Sequence, residues 1–181
     1  MRLHFFGMAA VVLAGVAAVF LSDTEVSDLL QKLMCGSVEE RLYAAERLGE
    51  MRLRHAVEPL VSALKHKSLW VRYYAAKALG EIGDRRAYDA LLKATRSDWL
   101  LMRCRAILAL GKIQDRRALG VLIRFLKDRA SFVRHYAAEA LGHLGDRRAV
   151  PALVEALKEA GFSGIEHVQR EKGEVFFIAT K

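Results

Sequence analysis

Val71 to Arg86 reads VRYYAAKALGEIGDRR, and most of the chain is built from copies of it. The pair Leu79-Gly80 recurs at Leu48-Gly49, Leu110-Gly111 and Leu141-Gly142, each 31 residues from the last. The same register carries Arg41, Arg72, Arg103 and Arg134, then Ala44, Ala75, Ala106 and Ala137. It continues with Ala56, Ala87, Ala118 and Ala149, and with Leu60, Leu91, Leu122 and Leu153. A gapless period of this length marks a solenoid, in which each unit buries its apolar face against its neighbours.

Each unit reads as a helix pair. Val71, Ala75, Leu79 and Ile82 form an apolar stripe at helical spacing, and small Ala75 and Ala76 permit close approach of another helix. Gly80 within a helix costs about 1 kcal/mol relative to Ala, which close packing between repeats would offset. Gly83 suits a left-handed helix end, and Asp84, Asp115 and Asp146 suit the start of the next helix. The spacing predicts first helices over 38–51, 69–82, 100–113 and 131–144, and second helices over 54–66, 85–97, 116–128 and 147–160. Val26, Leu29 and Leu33 sit one period before Val57, Leu60 and Leu64, so the array opens with half a repeat. Arg52-Leu53 replaces Gly-Asp in the first pair and leaves that junction less well specified.

Outside the repeats, Phe5 to Leu21 carries no charged residue, with Arg2 before it and Asp23, Glu25 and Asp28 after it. Counted from Leu3, this length suits a membrane-spanning signal anchor with Arg2 in the cytoplasm. The alternative is a signal peptide cleaved after Val16-x-Ala18, leaving a secreted or periplasmic protein. Either reading puts the repeats outside the cytoplasm. Val16, where a lipoprotein box needs Cys, excludes lipid attachment there. The net charge is +8, and only Arg2 contributes to it ahead of Ser22, so the repeats favour anionic partners. Two cysteines are too few for a disulfide framework.

The segments Val71-Arg72, Ala75-Ala76, Ala78-Leu79-Gly80, Ile82-Gly83-Asp84 and Arg86-Ala87, with Val133-Arg134 to Leu153, resemble the HEAT family. In particular they resemble the short HEAT-like repeats first associated with phycobiliprotein lyases. It covers roughly residues 24 to 160 and implies a helical binding scaffold, with almost nothing implied about activity. The fold expected is all-α: a solenoid of about four helix pairs over 23–160, a membrane or signal helix over 1–22, and a short β-hairpin over 161–181. In that tail, Ile165–Arg170 and Glu174–Thr180 read as strands. The tail also faintly resembles the closing hairpin of class I methyltransferases, but no glycine-rich cofactor loop precedes it.

No catalytic constellation stands out. The di-iron deoxyhypusine hydroxylases use His-Glu dipeptides on HEAT-like helices, whereas here His135 is followed by Tyr136, and no His-Glu dipeptide occurs. His135, Glu139 and His143 lie one helical turn apart and read as a solvated face rather than a metal site. Cys104 between Arg103 and Arg105 reads as a passive helix thiol. No cofactor is expected. The arginine series Arg41, Arg72, Arg103 and Arg134 reads as a structural ladder, with Asp84, Asp115 and Asp146 as candidate partners.

Positions that do not repeat are more informative, because packing does not dictate them. They include Tyr43, Trp70, Tyr73, Tyr74, Lys77, Arg105, Phe132, His135 and Tyr136, mostly aromatic or basic. Such residues anchor protein interfaces, or else fill gaps between helices. They point to a non-catalytic scaffold that binds a protein or peptide, acidic partners being favoured, and that is tethered to a membrane through residues 3–21. One alternative is a binder of anionic polymer or nucleic acid, as HEAT-like DNA glycosylases are. A second is a lyase-like or metal-dependent enzyme. The sequence does not specify an oligomeric state.

Overall fold

The computed structural model describes residues 24–161, together with the backbone of 163–169 and 175–180. Nine α-helices lie among the described residues. Residues 24–35 form α1, the expected half repeat. The first helices of the four pairs are α2 (Val38–Glu50), α4 (Leu69–Ile82), α6 (Leu100–Lys112) and α8 (Ser131–Leu144). The second helices are α3 (Val57–Ala63), α5 (Tyr88–Ala94), α7 (Leu119–Phe125) and α9 (Val150–Glu159). In the tail, β1 (Ser163–Gln169) and β2 (Val175–Thr180) pair antiparallel, with Glu166 opposite Ile178 and Gln169 opposite Val175. The expected anchor over 1–22 lies outside the described residues, as do the side chains of the tail. No helix among the described residues is long and apolar enough to cross a membrane.

Repeat register becomes core position. Leu48, Leu79, Leu110 and Leu141 are buried, as are Leu29, Leu60, Leu91 and Leu122. Burial of each leucine contributes about 1.5–3 kcal/mol. Leu29 extends the second series backwards into α1, while Leu153 at its far end is only half-buried. First helices stack in series, α2 on α4, α4 on α6 and α6 on α8. The second helices α3, α5 and α7 each pack against the first helix of the next pair.

The stacking distance is set by backbone contact. A Cβ on Gly80 would lie 3.0 Å from the Cα of Ala109, and one on Gly49 would lie 2.8 Å from the Cα of Ala78. On Gly111 it would lie 2.2 Å from the carbonyl oxygen of Ala140. Gly142 closes the array and has nothing within 4 Å among the described residues. The helical glycines are therefore the cost of a close approach between repeats, and the last one no longer needs to be glycine.

The turns differ from expectation in three ways. The second helices begin as 3₁₀ turns, as at Arg85–Ala87, and in three of the four the aspartate ahead of the turn bonds two residues on. The side chain of Asp84 accepts from the Arg86 amide, Asp115 from Arg117 and Asp146 from Arg148. The second helices α3, α5 and α7 also end about three residues early, tightening through bonds such as Lys65 N–H to Ser62 and Arg96 N–H to Lys93. Finally, the first junction makes the same turn without a side-chain cap, because Leu53 stands where the others have aspartate. Arg52 takes the left-handed conformation (φ 50°) that Gly83 takes (φ 73°), and so does Gln114 (φ 51°). Gln114 holds this conformation with a 3.2 Å bond from its Nε2 to the His143 carbonyl.

The arginine ladder also has other partners than expected. Arg41 donates to the carbonyls of Leu33 and Gly36, the latter at 2.8 Å. Arg134 donates to those of Asp128 and Arg129, at 2.9 and 3.1 Å. Both thus satisfy the C-terminal carbonyls of the preceding helix and loop. Arg103 instead reaches the Asp128 carboxylate at 3.4 Å. Asp84, Asp115 and Asp146 are taken by Arg86, Arg117 and Arg148, at 2.9, 2.8 and 2.6 Å. A carboxylate that already caps a turn finds its nearest guanidinium in the same turn.

Two outcomes follow. Gly111→Ala must push α8 away from α6 and is expected to destabilise by about 1–3 kcal/mol. Gly142→Ala is expected to be neutral or to stabilise by up to about 1 kcal/mol. Chemical denaturation of both variants compares them directly, and equal losses would contradict the packing account. The second outcome concerns acid. Hydrogen bonds from the arginine two residues on hold the Asp84 and Asp115 carboxyls below their usual range, and pull Asp146 down to about 2. Because these folded-state values are depressed, the stability they contribute is complete above the unfolded value near 3.8. It is lost as the pH falls towards about 2. Thermal melts across this window are expected to fall less steeply for the Asp84→Asn/Asp115→Asn/Asp146→Asn variant than for the parent. An unchanged slope would contradict the reading.

Candidate functional site

The helical stripe that buries Val71, Ala75, Ala78 and Leu79 leaves Trp70, Tyr73, Tyr74 and Lys77 on the opposite side of α4. Four rings meet there. Trp70 packs edge-on against Tyr73 (centroids 5.8 Å apart) and against Trp99 (5.1 Å). Tyr73 continues the cluster to Tyr74 (5.6 Å) and to Trp99 (6.0 Å). Edge-to-face geometry is the arrangement that the ring quadrupoles favour. Trp99 ends the loop before α6 and brings the next repeat into the cluster.

Two cations tie the cluster to adjacent repeats. The Arg105 guanidinium on α6 lies 4.7 Å from the Tyr73 ring centroid and donates to the Tyr73 hydroxyl. Its Nε is buried without a hydrogen bond. Lys77 lies 5.7 Å from the Tyr74 ring centroid and donates to Glu46 of α2 at 2.6 Å. That bond holds the Lys77 ammonium above its ordinary pKa, keeping it charged. The face is therefore preorganised across three repeats, which lowers the ordering cost of binding.

Of the sequence-predicted residues, Trp70, Tyr73, Tyr74, Lys77 and Arg105 come together here. Tyr73, Tyr74, Lys77 and Arg105 are half-buried, so they also fill the seams between helices. Tyr43 stands alone on α2, one period before Tyr74, and is 55% exposed. Phe132, His135 and Tyr136 form a separate patch on α8, with the His135 and Tyr136 rings 5.4 Å apart. A second pattern joins the two groups. Trp70, Leu101 and Phe132 share one register position in the first turn of α4, α6 and α8. They are 51%, 47% and 63% exposed, a row of large apolar side chains along one edge. A broad open groove beside α8 and α9, lined by Arg134, His135, Leu141, Leu153 and Leu157, does not coincide with the aromatic cluster.

Catalytic chemistry finds little footing among the described residues. Cys104 is buried, and burial raises its thiol pKa in spite of Arg103 and Arg105. A protonated buried thiol is a poor nucleophile. Cys35 is exposed, and neither cysteine is in a disulfide. Glu139 faces His143 at 3.8 Å, and no group of three or more His, Cys, Asp or Glu side chains is placed to hold a metal.

The HEAT repeats family model matches residues 26–102 and 100–165. No curated protein matches the chain. Among solved structures, the complex of CpcE and CpcF of phycocyanin lyase from Nostoc sp. PCC7120 is 25% identical, with a TM-score of 0.64. The match covers 74% of this chain and 58% of that one, so this chain spans a little over half of its length. Human deoxyhypusine hydroxylase is 22% identical over 88% of this chain and 52% of that one, with a TM-score of 0.55. A computationally designed armadillo repeat protein for modular peptide recognition is 20% identical over 71% of this chain and 69% of that one, with a TM-score of 0.52. At these last two identities the likeness is one of fold alone.

Proposed function

The chain belongs to the HEAT-repeat family, and we propose that it is a non-catalytic scaffold that binds a protein or peptide along its first-helix face. The observation that carries this reading is the exposed row Trp70, Leu101 and Phe132 adjoining the Trp70, Tyr73, Tyr74 and Trp99 cluster. Large aromatic side chains held in place by neighbours and left in water are what interface anchors require. A surface repeated once per 31 residues suits an extended partner that makes similar contacts at successive repeats. The family's phycocyanin lyase relative is itself solved as a complex of two chains, which is in keeping with such a role.

The scaffold works at a membrane. The uncharged run Phe5–Leu21 supplies a tether, with Arg2 cytoplasmic and the repeats outside the cytoplasm. Cleavage of that run would leave the same domain secreted or periplasmic. The excess of basic residues favours an acidic partner.

Selection of a displayed peptide library on the full-length protein tests the binding role. Enriched peptides are expected to lose at least tenfold in affinity to the Trp70→Ala/Phe132→Ala variant, as anchor residues do. Failure to enrich any peptide, or binding that ignores both substitutions, would overturn the assignment.

A further inference from the structure

We infer, resting on the binding role proposed above, that the partner held along Trp70, Leu101 and Phe132 is an acidic segment in the polyproline II conformation, with its carboxylates on Lys65, Arg96 and Lys127. These three cations share one register position, five residues ahead of Trp70, Leu101 and Phe132. Each leaves the same turn of backbone: the Lys65, Arg96 and Lys127 amides donate to the Ser62, Lys93 and Arg124 carbonyls at 3.1, 3.1 and 3.2 Å. A row of cations therefore runs beside the row of apolar side chains, on the edge where second helices end and first helices begin.

All three are exposed, as are Lys67 and Arg129 on the same loops. Among the described residues, none of these five side chains is hydrogen-bonded or ion-paired, the side-chain bonds of the loops being made by His66, Ser97 and Asp128. Acidic residues do not cancel the charge. The first turns of α4, α6 and α8 hold none. Glu58 and Asp89 open their second helices at the opposite edge. Asp128 is committed to Arg103 at 3.4 Å and to the Ala130 amide at 2.9 Å, which leaves Asp98 against the five cations. In the first repeat Met34 takes the place of Lys65, and Glu39 that of Trp70, so both rows begin at the second. At the far end Glu159 accompanies Lys158, and the uncompensated row runs from Lys65 to Lys127.

The repeat step selects the partner's backbone. Packed helices lie about 8–10 Å apart, and so do equivalent side chains on successive first helices. Polyproline II advances about 9 Å in three residues and returns to the same face, whereas a β-strand reaches that distance with its side chain on the opposite face. Polyproline II also leaves its carbonyls without internal hydrogen bonds. The Trp70 and Trp99 indole N–H groups have no acceptor among the described residues and are free to serve them. Aromatic-lined surfaces are a recurrent way of holding such segments. The partner thus carries an apolar residue at every third position, with acidic residues between.

A fluorescent (Leu-Glu-Pro)5 peptide titrated into the full-length protein is the probe. It is expected to bind where (Leu-Lys-Pro)5 does not, and to weaken at least tenfold in about 0.5 M salt. Lys65→Gln/Arg96→Gln/Lys127→Gln should cost about tenfold in affinity and leave the melting temperature in place, because the three side chains make no bonds within the fold. Asp98→Asn should tighten binding about twofold. Equal binding of the acidic and basic peptides, or indifference to the triple substitution, would overturn the inference. Library peptides that still depended on Trp70 and Phe132 would then leave the binding role standing. Acidic-peptide binding that survived Trp70→Ala/Phe132→Ala would remove that role together with the inference. Equal affinity for helical (Leu-Glu-Ala)5, or a preference for phosphatidylglycerol vesicles over the peptide, would overturn the inference alone.

Discussion

The contact on which this structure depends is the approach of one helix backbone to the next at the Leu-Gly pairs. Gly49, Gly80 and Gly111 sit so close to Ala78, Ala109 and Ala140 that a single added carbon would collide with backbone atoms at the tightest of the three. Once that spacing is set, the leucines beside the glycines are buried, the second helices fall onto the next first helix, and the turns are brought into line. Every face of the array then repeats at the same interval. The proposed binding role follows from this regularity, since an isolated tryptophan would say little, whereas a row of large apolar side chains in register forms a surface.

The two edges of the array divide the work. On one, an aspartate and an arginine close three of the four turns together. On the other, the first turn of each first helix leaves one large apolar side chain in water from the second repeat onwards. Between them, the aromatic cluster is stiffened by Arg105 from the following repeat, while Glu46 from the preceding repeat holds Lys77. Beneath them, burial raises the pKa of the Cys104 thiol.

Much of this was legible in the sequence because the repeat is gapless. The Leu-Gly pairs, the aspartate caps and the half repeat at the start were fixed by periodicity alone. What was not legible depended on atoms that periodicity does not describe. Trp99 has Ser68 and Ala130 as its counterparts and lies outside the apolar stripe, so nothing in its spacing marked it as part of the cluster. Arg52 and Gln114 take a left-handed conformation that neighbouring repeats give to glycine, and only the backbone reveals it. The aspartates were matched to distant arginines because sequence register cannot rank a partner two residues away against one in the next helix.

Native-state hydrogen exchange on the full-length chain tests the central claim most directly. If stability resides in the contacts between successive repeats, protection should be greatest in α4 and α6, which are flanked on both sides, and should fall through α8 to α9. Uniform protection across the helices, or greatest protection in α9, would contradict an array held together by its glycine-mediated contacts.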